Sequence, residues 1–190
     1  NEPLSSRHSA SREGGPAFSL TNRAYRVVWG IAWLLLARWT PPPLHGWRAF
    51  LLRIFGAKLG ANCRIYGSVR VWSPKNLVAG RNVTVGPGVH LYNQGVVTLG
   101  NDIVVPSVAH LCEQPAVDDY YFQLILRPVT IEDSCWVAAE AFVGPGVTMR
   151  EGSVLAARGA LFTDTEAWVI YRGNPAVIIR IRTLTNRPAN

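Results

Sequence analysis

The sequence is short of acidic residues, of histidine and of paired cysteine. Its 190 residues hold 12 Asp or Glu against 19 Lys or Arg, a formal net charge of +7 with a pI near 9.8. That imbalance suits an anionic partner such as nucleic acid, anionic lipid or the phosphates of a nucleotide-like cofactor, and composition does not choose among them. The three cysteines, Cys63, Cys112 and Cys135, form no CxxC pair. Neither a disulfide framework nor a zinc site follows, no metal is expected, and a reducing, cytoplasmic compartment is. No apolar run reaches the roughly 18–20 residues that span a bilayer. The nearest is the stretch 27–37, VVWGIAWLLLA, between Arg26 and Arg38. No helix-turn-helix, zinc or RNP-like motif accompanies the charge, so no nucleic-acid partner is expected.

What is present is glycine and proline, 17 and 13 residues, which speaks for many turns and against a helical bundle. Residues 1–22 are polar and rich in Ser, Gly and Arg, and read as a loose arm. Residues 23–58 read as a helical segment: one apolar helix over 23–39, stopped by Pro41, Pro42 and Pro43, and a second over 47–55 (WRAFLLRIF). Trp29, Trp33, Trp39 and Trp47 crowd this segment.

From residue 59 the texture changes to a repeat of period six. An aliphatic residue stands at Leu59, Ile65, Val71 and Leu77, then after a two-residue slip at Val85 and Leu91, then after a second slip at Leu99, Val105 and Leu111. A break over 112–130 follows. Six more units run without slips: Ile131, Val137, Val143, Met149, Leu155 and Leu161. A period of six fits neither an α-helix nor a simple amphipathic strand. It fits a solenoid in which each unit is a short strand plus a corner, three units closing a triangular coil of about 18 residues with strands stacked ~4.8 Å apart. Fifteen units give five coils over 59–165, with a loop at 112–130 and a tail over 166–190.

The hexads, the block CWVAAEAFVGPGVTMREGSVLAARGALF and the ending YRGNPAVIIR resemble the left-handed β-helix (hexapeptide-repeat) acetyltransferases. The stretch WRAFLLRIFGAKLG upstream is similar to the colanic acid biosynthesis type. The resemblance spans about residues 23–182. It implies an all-β solenoid, a left-handed parallel β-helix with N-terminal helices, acting as a homotrimer. It implies transfer of acetyl from acetyl-CoA to a sugar hydroxyl during exopolysaccharide or glycan biosynthesis, with a saccharide as acceptor and a histidine as general base.

In the family that histidine follows a Leu-Cys pair, found here at Leu111-Cys112. In LCEQPAVDDYYFQ the matching position is Ala116. Three readings stand: a disabled variant, a natural non-catalytic relative that binds CoA or saccharide, or an enzyme that has recruited another base. His110, Asp118 and Asp119 are the candidates for that base. By the hexad count, His90 stacks beneath His110. On the donor side the resemblance gives Trp136, Ala139 and Ala157 as groove residues and Arg180 as a phosphate contact, with Arg158 and Arg172 close enough to assist; a guanidinium fork suits phosphate. On the acceptor side it gives Tyr92 and Asn93, with Tyr120, Tyr121 and Phe122 in the loop. For the N-terminal helices two readings remain: a cap on the open end of the solenoid, which is adopted, and a peripheral membrane contact through Trp and Arg.

Overall fold

A computed structural model describes residues 19–112 and 127–184. Two helices precede a parallel β-solenoid of about five coils. α1, Leu20–Leu36, begins at Ser19, whose hydroxyl accepts from the backbone N–H of Asn22 (3.3 Å). α2, His45–Ile54, follows the triple-proline turn. Both start slightly earlier than the apolar pattern predicts. The cap residue sets the start of α1, while the pattern marks only the buried face.

The fifteen hexad strands form three parallel sheets, the faces of a triangular prism. The first and third faces have five strands each. The second has seven, because strands Val169–Gly173 and Ala176–Ile181 add an antiparallel hairpin within the segment read as a tail. Every hexad strand turns at least one apolar residue inward. Ile65, Val85, Val105, Val137 and Leu155 line the second face, and Val71, Leu91, Leu111, Val143 and Leu161 the third; all are buried. Strands two or three residues long cannot stand alone. They are held by the ladder to the next coil and by this axial core.

The first face corrects one hexad assignment. Leu59 pairs in register with Ala79, and Ala79 with Leu99, so Ala79 occupies the column that Leu77 was expected to fill. Leu77 is also buried, opposite Val97. The two extra residues therefore precede Leu77, taken up by a 3-10 turn at Pro74–Asn76. The period alone cannot separate two buried aliphatics at i and i+2 of one strand.

All three breaks in the period fall at one corner, between the third and first faces: residues 72–76, 93–96 and the long loop after Cys112. The first two are closed by buried amides. Asn93 donates to the Ser73 carbonyl (2.6 Å) and accepts from the N–H groups of Trp72 and Ser73 (3.1 and 3.2 Å). Asn76 donates to the carbonyls of Asn93 and Gln94. The other corners are tight and repeat coil by coil, with left-handed residues stacked at Asn62, Asn82, Asp102 and Ser134. Asn and Asp tolerate that conformation. At Gly86 the coils approach so closely that a Cβ would lie 1.4 Å from the Pro106 carbonyl oxygen, which only glycine permits.

The helices close the N-terminal end. Trp29 and Trp33 of α1 donate to the carbonyls of Val71 and Gly67 (2.8 and 3.2 Å). Arg48 of α2 is 1% exposed and donates to the carbonyls of Thr40, Pro41, Pro42 and Ile65. A buried guanidinium with carbonyl partners locks the proline turn onto the first coil, and burial pulls its pKa down.

Candidate active site

Successive coils place equivalent residues side by side, so each outer face carries rows of side chains about 4.8 Å apart. On the second face one row runs Arg64, Thr84, Val104, Trp136, Val154, Ile170, Arg180, each opposite the next. Its middle is an apolar lane: Val104 is 38% and Trp136 46% exposed. Its end is a guanidinium. Three strand spacings, about 14 Å, separate Trp136 from Arg180. Ala139 and Ala157 stack at the corner bordering this lane, where the Arg158 N–H bonds the Ala139 carbonyl (3.0 Å). The lane thus brings together Trp136 and Arg180, which lie 44 positions apart in sequence. The resemblance did not point to Val104, Val154 or Ile170, the rest of its floor. The signal that finds them is register, since Val104 and Val154 each immediately precede an inward aliphatic and Ile170 precedes the buried Tyr171.

Arg158 is engaged elsewhere. Its Nε lies 2.8 Å from the Glu140 carboxylate, and that carboxylate raises its pKa. Arg172, on the hairpin strand, is exposed. Of the arginines expected to meet phosphate, Arg172 and Arg180 are exposed and, among the described residues, outside any ion pair, while Arg158 would first have to release Glu140.

The third face carries a different row: Arg70, His90, His110, Phe142, Ala160. The rings of His90 and His110 lie 4.8 Å apart, as the hexad count predicts. Burial, the neighbouring His110 and Arg70 together hold the His90 pKa below its ordinary value. Tyr92, two residues on along the same strand, is exposed and makes an edge contact with Trp72 (6.4 Å). Trp72 is an aromatic neighbour that sequence reasoning missed. These groups border the corner from which the long loop departs. Asn93 does not join them. It is fully buried with its amide spent on backbone, so of the expected acceptor pair only Tyr92 reaches the surface. The reason is the longer corner there, which needs a side chain to satisfy its inward backbone groups.

Ala116, Asp118, Asp119, Tyr120, Tyr121 and Phe122 lie outside the described residues. Cys63 and Cys135 are free, buried thiols, and burial pushes both pKa values up, which keeps them protonated and unreactive. Among the described residues no cluster of His, Cys, Asp and Glu is arranged to hold a metal.

A parallel β-solenoid built from hexads and preceded by two helices is the fold of the hexapeptide-repeat acetyltransferases. The comparisons agree. The chain is 40% identical over 161 residues to the colanic acid biosynthesis acetyltransferase WcaF of Escherichia coli K12, covering 83% of this chain and 87% of the relative. No protein-family model matches. Among solved structures, a hexapeptide-repeat acetyltransferase of Vibrio cholerae complexed with acetyl coenzyme A superposes with a TM-score of 0.78 at 20% identity, over 90% of this chain and 93% of that one. A maltose O-acetyltransferase of Clostridium difficile gives 0.77 at 16% identity, over 87% and 90%. These two likenesses concern the fold. The sequence relationship goes further: the chain belongs to the acetyltransferases of the colanic acid biosynthesis type, with the left-handed parallel β-helix fold of the hexapeptide-repeat acetyltransferases.

Proposed function

We propose that this chain is an O-acetyltransferase acting on a hydroxyl of a saccharide in exopolysaccharide or glycan biosynthesis, working as a homotrimer. The observation that carries the donor side is the lane from Val104 to Arg180. Its apolar floor suits a pantetheine arm, and its terminal guanidinium suits a phosphate at the far end. When bound there, acetyl-CoA supplies an activated thioester. Trp136 gives the arm an apolar wall, and Ala139 and Ala157 leave the corner low enough for the arm to pass.

The acceptor side lies on the neighbouring face, where the stretched corner gathers Tyr92, Trp72 and the His90–His110 pair. The exposed Tyr92 offers stacking surface to a sugar ring, while the Arg26 guanidinium already lies over the Trp72 ring (4.3 Å). With Ala116 at the position where the resemblance expects the base, the proton of the attacking hydroxyl needs another acceptor. Of the three histidines among the described residues, His45 is held in the cap against the Ile65 carbonyl (2.9 Å). His110, supported by a neighbouring His90 whose pKa is lowered and which therefore favours the neutral form, is the base of this reading, and Asp118 in the loop is its rival. In a trimer the third face of one copy can meet the second face of the next, which is how the two half-sites would join.

A second reading is favoured by Ala116 itself: a non-catalytic relative that keeps CoA or saccharide affinity. Calorimetry with acetyl-CoA, run beside a thiol-release assay over a panel of sugars, separates the two. Binding with release that His110→Gln abolishes supports the enzyme. Binding without release supports the second reading, and release restored by Ala116→His identifies a disabled enzyme instead. Absence of CoA binding removes the enzyme reading.

A further inference from the structure

α1 is apolar on two sides, and only one is covered. Trp29, Trp33 and Ala37 recur at helical spacing and bury against the first coil. Val27, Ile31 and Leu35 recur at the same spacing on the opposite side and stand open, Leu35 at 68%. A helix apolar all round belongs inside a protein or against lipid. The open stripe continues without a gap into α2. Trp47 donates to the Leu36 carbonyl (2.7 Å), and its ring packs beside Phe50 (5.8 Å), itself half exposed, with Ile54 one turn on. Trp39, 78% exposed, stands at the turn between the helices.

The charge around this surface has one sign. From residue 14 to residue 101 the sequence holds ten Lys or Arg and no Asp or Glu, whereas residues 102–190 hold ten acidic residues against seven basic. Arg23 and Arg38 flank the open stripe of α1. Beside α2 a cleft of about 680 Å3 opens between the helix and the second face, lined by His45, Arg53, Asn62, Arg64, Asn82 and Thr84, with no carboxylate among them. A second copy meeting this face with its own would bring the same positive field and be repelled. An anionic surface would be drawn to it.

We propose that the outer face of α1 and α2 docks on an anionic lipid bilayer, lying in the interface with Trp39 and Trp47 at headgroup level and the arginines on lipid phosphates. The contact is peripheral, since no helix among the described residues is long and apolar enough to cross a membrane. The solenoid axis then carries the later coils away from the bilayer, the fifth about 20 Å from the first. This face does not coincide with the proposed donor lane or the histidine pair, so the inference stands whether or not the chain turns over substrate.

The test is co-sedimentation of the full chain with vesicles of phosphatidylcholine alone or mixed with phosphatidylglycerol, with light scattering of the free protein in parallel. Binding to the mixed vesicles is expected, weakened by salt and much weaker on phosphatidylcholine alone. Ile31→Glu with Leu35→Glu should lower it at least tenfold while the thermal transition stays in place, because both side chains are already in solvent. Arg23→Gln with Arg38→Gln should lower it about 25-fold, since each basic residue near an anionic surface contributes roughly fivefold. Ile178→Glu with Ile181→Glu, on the exposed hairpin at the other end, should leave it unchanged. Failure of the unaltered chain to sediment with anionic vesicles overturns the proposal. So does a double glutamate variant that still binds, or one that instead dissociates an oligomer, which would make the face a contact between copies.

Discussion

The second and third faces of the prism have the same interior and opposite exteriors. Inside, both present a column of buried aliphatics, Val105 and Val137 on one, Leu111 and Val143 on the other. Outside, the second face reads Arg64, Thr84, Val104, Trp136, Val154, Ile170 and Arg180, with no titratable group between its two terminal arginines. The third reads Arg70, His90, His110 and Phe142. The solenoid constrains the inward residue of each hexad and leaves its outward neighbour free. Chemistry therefore concentrates in positions the repeat does not specify. The same division separates stability from activity, because an inward truncation should damage both faces and an outward one only its own.

The largest effect belongs to the shared interior. Leu111→Ala should cost about 2–5 kcal/mol, read by chemical denaturation, and should weaken donor and acceptor binding together through loss of fold. His110→Gln, one residue away but outward, should leave the denaturation midpoint nearly unchanged and lower kcat about 100-fold or more with acetyl-CoA affinity intact. If His110→Gln destabilised the chain as Leu111→Ala does, the distinction between inner and outer positions would collapse.

Next come the donor-face changes. Trp136→Ala should raise KM for acetyl-CoA about tenfold with little change in kcat, as expected when binding contacts common to ground and transition state are lost. Arg180→Ala should raise it severalfold, in a manner that fades as salt is added. An effect of either on acceptor KM alone would assign the lane to the sugar instead.

The smallest effect is the pH response of the third face. The folded pKa of His90 lies below its ordinary value near 6.5, so the unfolded chain takes up protons first as pH falls. Stability is then complete above about pH 6.5 and declines on acidification through the folded value. Thermal melts of His90→Asn should show a smaller decline over that window than the unaltered chain, and an identical decline would mean that His90 is not its source.

The division also explains what the sequence could tell. Six-residue spacing was enough to predict the solenoid, its coil count and the stacking of His90 on His110, because a one-dimensional stack converts sequence period into spatial neighbourhood. It failed at Leu77, where two buried aliphatics two residues apart share a strand. It also failed at Asn93, which reads as a surface polar residue until the long corner is seen to need its amide. The helices were legible as apolar segments with a proline stop. Their open second stripe was not, since a pattern that is apolar on both sides does not say which side is covered.

The sequence by itself determined the repeat, the inward column, the excess of positive charge and the alanine at position 116. Only the tertiary structure decided which outward residues share a row, which arginines are already paired and which apolar side of α1 faces solvent. Period and composition are properties of neighbours along the chain. Rows, ion pairs and exposure depend on which coils meet, and contacts such as Trp136 with Val104 or Arg158 with Glu140 join residues a full coil or more apart.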